Sequence, residues 1–384
     1  MIFKNKPLIS VIMCAWNEEK FIETAIKSIL NQTYRNFELI IVESNSPDKT
    51  AKIIKKYTKI DKRIKPIFLK KRTSSIAAAR NLAIKNSKGE FYATADADDY
   101  SIPSRLETQL KFMEKYTGCE ICGSWFTKTK YPGTAHDGDI QYRSWHPKDI
   151  ENELHFRNSL SGPSNFIRAK TFHLLGGYDE KLKVAEDYDL HVKALKLGME
   201  LRAVPKVLVH YRVHSESITH NVPPTPWKNP LNLGSACDAK VSSLFFDVPI
   251  NEIYDVQYKW INNKLENFLN CKQVILFKGE REAIFVPHFL EWVANRKIDV
   301  EGIISNGYYC GIKPIKRETI KNYLKKGYKF IICSQDKIGV NAANFLESLG
   351  AKVWVNYIHI VPYLTRLVEI EAAKKYKKHK YNVC

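Results

Sequence analysis

Two kinds of hydrophobic pattern alternate through the first hundred residues. "LISVIMCA" (8–15) is a continuous apolar, β-rich run, and Asn17 after it predicts a helix N-cap. Phe21, Ile22, Ala25, Ile26 and Ile29 then recur at helical spacing. "FELIIVES" (37–44) predicts a second strand, "DKTAKIIKKYT" (48–58) a helix and "KPIFLK" (65–70) a third strand. Ser74 or Ser75 is placed to cap "IAAARNLAIKNS" (76–87), which stops at Gly89. The fourth strand opens "EFYATADADDYSIPSRLE" (90–107).

Apolar strands that do not alternate, separated by helices, predict a parallel sheet covered on both faces with right-handed crossovers. In such a sheet a ligand crevice lies at the carboxyl ends of the strands, near the point where strand order reverses. Trp16-Asn17, Glu43-Ser44-Asn45 and Asp96 through Asp99 all follow strands and are predicted to converge there.

Residues 110–220 are less regular, with a Gly- and Pro-containing stretch at 131–139 and a strand in "RAVPKVLVHYRVH" (202–214). "HNVPPTPWKNPLNLG" (220–234) breaks the pattern, and a helical connector follows at 236–270. A second alternating series then begins. Strands are predicted in "KQVILFKG", "VEGIIS", "KFIICS" and "KVWVNYI", with helices near 281–296, 316–326 and 337–349. The expected division is 1–220, 221–270 as linker and connector, 271–360 as a smaller α/β unit, and 361–384 as a basic tail.

Composition narrows the class. The chain has 384 residues, 44% hydrophobic and 12% aromatic, ordinary for a globular protein and far from disorder. No apolar run approaches the roughly 20 residues that span a bilayer. The N-terminal apolar stretch lacks a small-residue cleavage site and runs into a charged helix, so a first strand is expected there, not a signal peptide. Eight cysteines are scattered; only Cys119 and Cys122 have CxxC spacing, so reduced thiols are expected and not a zinc site. The net charge of +19 implies attraction to something anionic: a nucleotide-linked substrate, a phospholipid surface or nucleic acid. Its clusters are "KIIKKYTKIDKRIKPIFLKKR" (52–72) and the end of the chain, "AAKKYKKHKYNVC". No helix-turn-helix, zinc finger or RNP signature accompanies them.

Packed carboxylates become favourable when a hard divalent cation or a donor-rich ligand neutralises them. Alternation of side chains along a strand turns Asp96 and Asp98 to one side. A plain acidic turn entering a helix is the competing reading of the same residues. Paired carboxylates also serve glycoside hydrolases, although strand-end clustering fits that poorly.

Residues 7–50, "AAARNLAIKNSKGEFYATADADD" (77–99) and "AEDYDLHVKAL" (185–195) together resemble the family 2 glycosyltransferases, inverting enzymes of the GT-A fold, over about residues 7–215. The resemblance implies a doubly wound mixed α/β sheet and a nucleotide-sugar donor with an attached Mn²⁺ or Mg²⁺. It also implies a glycan or lipid-linked glycan acceptor in surface polysaccharide synthesis. Ala15, Trp16 and Asn17 take the place of the segment that packs on the base, where the family more often has Pro-Thr-Tyr for Cys14-Ala15-Trp16. Glu43 stands where an Asp usually meets the N3–H of a uracil, and Ser44-Asn45-Ser46 replaces Asp-Gly-Ser. Arg80 matches an arginine near the base or phosphates. The resemblance implies that Asp96 contacts the ribose or metal and that Asp98 is the principal metal ligand, with Asp99 behind it or capping the turn. By the same resemblance Asp187 matches the base that deprotonates the acceptor, Glu186 is expected to orient loops or the acceptor, and His214 matches a histidine that in some relatives completes the metal shell. Asp189 lies further into the helix and is the weaker match. The Gly176–Glu180 turn, with Gly177, Tyr178 and Asp179, corresponds to the acceptor-side loop; its glycines equally suit a helix C-cap.

The second unit resembles a Rossmann-like subdomain with a degenerate fingerprint. Only Gly279 remains of three glycines, and Glu280, Arg281 and Glu282 crowd the place of a pyrophosphate, so packing, dimerisation or acceptor recognition is expected instead of cofactor binding. For the tail, a peripheral helix on the inner, anionic face of a membrane and a solvated end are both open, with a cytoplasmic location in either case. A basic anion- or nucleic-acid-binding protein and a non-catalytic relative of the same fold are the alternatives in other classes.

Overall fold

The computed structural model describes residues 6–130, 132, 138–182, 184–214, 252–271, 273–278, 298–304, 312, 314–333, 337–363, 365–367 and 370. The chain divides into two compact units: Met1–Leu154 with Asn158–Val222, and His155–Arg157 with Pro223–Cys384.

The first unit opens with the alternation expected of its sequence: β1 (Ile9–Ala15), α1 (Ile22–Leu30), β2 (Phe37–Glu43), α2 (Thr50–Ile60), β3 (Ile64–Phe68), α3 (Ile76–Lys85) and β4 (Phe91–Asp96). β2 is buried along its whole length, as a strand covered on both faces must be. β1 is hydrogen-bonded in parallel to β2 on one side and to β4 on the other, so strand order reverses at β1. The register sets Ala15 opposite Glu43 and Cys14 opposite Asp96. Three carboxyl ends therefore finish at one level.

After β4 come β5 (Tyr100–Ser101), α4 (Arg105–Lys115), β6 (Cys119–Thr129), β7 (Asp139–Gln141), α5 (Pro147–Glu153), β8 (Phe166–Arg168), α6 (Ala169–Leu174), α7 (Glu186–Lys196) and β9 (Glu200–Arg212). β8 joins β4 antiparallel, and the sheet runs β3-β2-β1-β4-β8-β6-β9-β5 with β7 beside β6. The sheet is mixed, as expected. Its core includes Ile9, Val11, Met13, Leu39, Ile41, Phe91, Leu106 and Phe166, all at most 2% exposed.

Local expectations met several corrections. Asn17 does not cap α1: its backbone is left-handed (φ 63°), and the helix starts five residues later behind Phe21, with no side-chain cap. Ser75 does cap α3, accepting from the Ala78 N–H at 3.2 Å. α3 closes at Lys85 on Asn86, short of Gly89. Leu190 and Ala194 of α7 are buried, whereas Leu197, past the helix end, is 61% exposed. Gly176 and Gly177, both at φ near +77°, terminate α6 through bonds to His173 and Phe172, the C-cap role that needs glycine.

The second unit holds α8 (Ile253–Phe268), β10 (Gln273–Lys278), β11 (Asp299–Ile304), α9 (Ile320–Lys325), β12 (Lys329–Cys333), α10 (Lys337–Ser348) and β13 (Tyr357–His359). Its parallel sheet runs β11-β10-β12-β13 over a core of Phe156, Ile261, Leu265, Val274, Leu276, Ile331 and Tyr363. The strand expected from Lys352 begins at Tyr357, because a turn with Trp354 at φ 59° intervenes. The linker at 221–251, the helix expected near 281–296, Gly279 through Glu282 and the end of the tail (371–384) lie outside the described residues. Among the described residues no helix is long and apolar enough to cross a membrane.

Candidate active site

The loops leaving β1 and β2 are laced by hydrogen bonds between side chains and backbone. Asn17 N–H donates to Ser46 Oγ at 3.0 Å, Glu18 N–H to Thr50 Oγ1 at 2.8 Å and Glu19 N–H to Asp48 Oδ2 at 2.8 Å. Glu43 is buried and accepts the Ser46 N–H at 2.6 Å, which curls the loop behind it. Asn17, Asn45 and Ala185, all at strand- or helix-end positions of this region, have left-handed backbones with φ between 57° and 65°. Asn tolerates this conformation; for Ala it costs about 1–2 kcal/mol, and such strain concentrates where function demands a particular direction of chain. Trp16 stands at the rim, 37% exposed, with the Arg72 guanidinium 3.4 Å from its ring centroid.

Carboxylate oxygens of Asp96, Asp98 and Asp99 lie within 4.8 Å of one another. Burial, then the neighbouring Asp96 charge, raises the Asp98 carboxyl above its usual value; burial and both neighbours push Asp99 well above it. The Arg212 N–H donates to Asp99 Oδ1 at 2.8 Å, whereas Asp99 Oδ2 is buried without a hydrogen-bond partner. His214 Nε2 lies 2.9 Å from Asp98 Oδ2, and its ring packs on Phe21. Hard oxygen donors that repel one another, one of them orphaned, fit a Mn²⁺ or Mg²⁺ ion. The three aspartates form that cluster, and His214 reaches it through Asp98. Beneath them Arg105 is wholly buried, donating to Ser101, Gln109 and the Thr94 carbonyl, with no ion pair to a carboxylate among the described residues.

Arg80 points from α3 into the same place. It is paired with Asp96 at 2.8 Å and with Glu186 at the start of α7. So the arginine expected near the nucleotide is held between a strand-end carboxylate and a helix-start one. Burial raises Glu186 to about 7 despite the opposing pull of Arg80. Burial likewise pushes the neighbouring Cys14 thiol up to about 12, so it is an inert thiol. Cys119 and Cys122 are also free thiols.

Asp187 follows Glu186 and receives an N–H from Asn158 on Oδ2 at 3.0 Å. Gly162 closes the same side: a Cβ there would sit 2.6 Å from Asp187 Oδ2. Asp189 pairs with Lys193 along α7. The turn from Gly177 to Glu180 is fixed by Asn81 of α3, which exchanges bonds with Tyr178 and Glu180. Gly177 and Tyr178 are buried, the Tyr178 ring lying 5.8 Å from the Arg80 guanidinium; Asp179 caps the turn at Lys181.

The fold therefore gathers the sequence-derived candidates, Asp99 among them, at one sheet end and adds Arg72, Asn158, Gly162 and Arg212. A mixed sheet with carboxylates at its switch point has the architecture of the GT-A fold, with its crevice at the strand carboxyl ends. The family model "Glycosyl transferase family 2" matches residues 10–170. An uncharacterized glycosyltransferase of Methanocaldococcus jannaschii, MJ1057, is 34% identical over 212 residues, 54% of this chain and 72% of that protein. The putative teichuronic acid biosynthesis glycosyltransferase TuaG of Bacillus subtilis is 31% identical over 219 residues, 56% of this chain and 83% of that protein. Among solved structures, S. aureus TarS 1-349 in complex with UDP-GlcNAc aligns with a TM-score of 0.49 and 17% identity, over 84% of this chain and 92% of that one. The chain belongs to the family 2 glycosyltransferases.

Proposed function

We propose that the first unit moves a sugar, with inversion, from a UDP-sugar to a glycan or lipid-linked glycan acceptor, in the synthesis of an envelope polysaccharide. The name of the teichuronic acid relative supports the acceptor class. Ala15, Trp16 and Asn17 bind the base, and Glu43 accepts from the uracil N3–H. Asp96 and Asp98, backed by Asp99 and His214, hold Mn²⁺ or Mg²⁺. When bound, the cation neutralises charge on the departing nucleoside diphosphate. Asp187 takes the proton from the acceptor hydroxyl as its oxygen bonds to the anomeric carbon and the bond to the diphosphate oxygen breaks. Glu186 and Arg80 keep that base aligned with the donor side, and the Gly177–Asp179 turn lies on the acceptor side. A basic surface attracts anionic substrates and, through the tail, an anionic membrane face.

One observation carries this reading: Arg80 joins Asp96 to Glu186, so the donor-side and base-side motifs meet at one strand end. The experiment is a thermal-shift screen of nucleotide-sugars with and without Mn²⁺, followed by transfer assays of Asp187→Asn. That variant should keep the nucleotide-dependent shift and lose transfer. Wild-type transfer by it, or no response of the wild type to any nucleotide-sugar, would refute the reading.

A further inference from the structure

One turn along α7 from Asp187, His191 is wholly buried, and both its ring nitrogens are engaged. Nδ1 lies 2.9 Å from Asn158 Oδ1, and Nε2 lies 3.1 Å from Asn165 Oδ1. The opposite end of the Asn158 amide donates to Asp187 Oδ2 at 3.0 Å. A continuous polar chain thus runs Asp187–Asn158–His191–Asn165 within the first unit.

Donors and acceptors along this chain have one consistent arrangement. An ionised carboxylate can only accept, so Asn158 turns its NH₂ toward Asp187 and its oxygen toward His191. Nδ1 must then carry the imidazole proton. Burial pushes His191 down to about 4, so the ring is neutral near pH 7 and has no second proton for Nε2. Nε2 is left as an acceptor facing the Asn165 amide, whose Nδ2 is buried without a partner. A half-turn of that amide, which exchanges two atoms of nearly equal size, presents Nδ2 to Nε2 and provides the missing bond. Asn165 is itself pinned: its carbonyl accepts the Thr94 N–H at 3.0 Å and an Arg105 N–H at 3.4 Å, two residues before Asp96.

We propose that His191 is a positioning residue for the transfer reaction, acting through Asn158 to hold the Asp187 carboxylate in a single rotamer against the strand that carries the aspartate cluster. This rests on the reading of Asp187 as the base. The carboxylate sets the amide, the amide sets the tautomer, and the tautomer sets Asn165. Each member has only one orientation that satisfies its neighbours. A buried histidine serving merely to fill α7's packing face would need none of this, and an apolar side chain of like volume would replace it.

The full chain provides two readouts. In protein labelled with nitrogen-15 histidine at pH 7, the His191 signals, identified by their loss in His191→Phe, should be those of a neutral ring protonated at Nδ1. Protonation at Nε2, or an imidazolium, overturns the arrangement. Turnover is followed as UDP released, with Mn²⁺, from a UDP-hexose that the wild type hydrolyses. His191→Phe should lower kcat roughly 100-fold with the donor KM unchanged, the scale of a misplacement of about 1 Å. His191→Asn, which returns an amide N–H to the place of Nδ1, should recover most of it. Adding His191→Phe to Asn158→Leu should cost little beyond Asn158→Leu alone, since both break one chain. A raised KM with kcat intact, no rescue by Asn, or additive losses overturn the proposal. Wild-type turnover by Asp187→Asn removes the base itself and the positioning role with it, and that failure shows in this variant alone.

Discussion

The Arg80 guanidinium pairs with the Glu186 carboxylate, 106 residues further along the chain, and both side chains are 7% exposed. The same guanidinium reaches Asp96, so a single cation ties α3, the end of β4 and the start of α7 together. A buried cation with two carboxylates is costly to dismantle by halves, because the remaining charges stay out of water.

Arg80→Met should therefore lower unfolding stability by about 3–5 kcal/mol at pH 8. The loss should shrink at pH 5, where Glu186 holds a proton and needs no partner. Urea midpoints at both pH values measure it; equal losses at the two would contradict the role of Glu186.

Glu186 has its own pH signature. Its carboxyl sits at about 7 in the fold, against an ordinary 4.5, because of burial. Between those values the folded protein keeps a proton that the unfolded chain has released, so the contribution is full below 4.5 and is lost as pH rises through 7. Glu186→Gln lacks this dependence. Its stability should gain steadily on the wild type from pH 5 to pH 8, followed as parallel denaturation series; a constant difference would count against the raised carboxyl.

The aspartate cluster should respond to metal. Mn²⁺ at about 100 times its Kd should stabilise the protein by about 2.7 kcal/mol. The effect should weaken from pH 7 to pH 5 as protons compete for Asp98 and Asp99, both raised by burial and by their neighbours. Asp98→Asn should lose most of the Mn²⁺ shift in melting temperature; a full shift in that variant would place the ion elsewhere.

The Trp16 indole is 37% exposed at the rim, with Arg72 stacked on it, and the proposed donor site places the base there. Base–aromatic stacking is worth about 1–3 kcal/mol, so Trp16→Ala should weaken UDP binding roughly 5- to 150-fold by calorimetry. Unchanged affinity would remove Trp16 from the donor site.

Gly162 tests the base geometrically. A methyl group there would stand 2.6 Å from Asp187 Oδ2 and 3.2 Å from its Cγ, and the Gly162 backbone is held by the bond from Thr94 Oγ1 to its carbonyl, so the carboxylate must shift. Gly162→Ala should cut turnover on the order of 100-fold while UDP binding holds. Loss of UDP binding in step with turnover would mean a wider collapse.

Much of this was legible in the chain itself. Continuous apolar runs mark buried parallel strands, Asp96 and Asp98 follow one of them as a packed acidic pair, and Glu186 and Asp187 stand in a motif singled out by its family resemblance. His191 gave no such signal, because on α7 it occupies a position that any helical stripe could fill. Asn158 and Asn165 are ordinary loop residues until the fold sets them at the two ends of one imidazole. Asn17 misled for a related reason: Asn suits both a helix cap and a left-handed turn, and the bond from its N–H to Ser46 of the next loop chose the turn.

The order of strands and helices and the aspartate cluster after the fourth strand came from local pattern, which depends only on spacing along the chain, while Glu186 and Asp187 stood out through the family resemblance of their motif. Which carboxylate meets which cation, which amide orients which ring, and which glycine must stay bare were decided by tertiary structure alone. Those pairings join residues far apart in sequence, and their energies arise only after folding has removed water from around them.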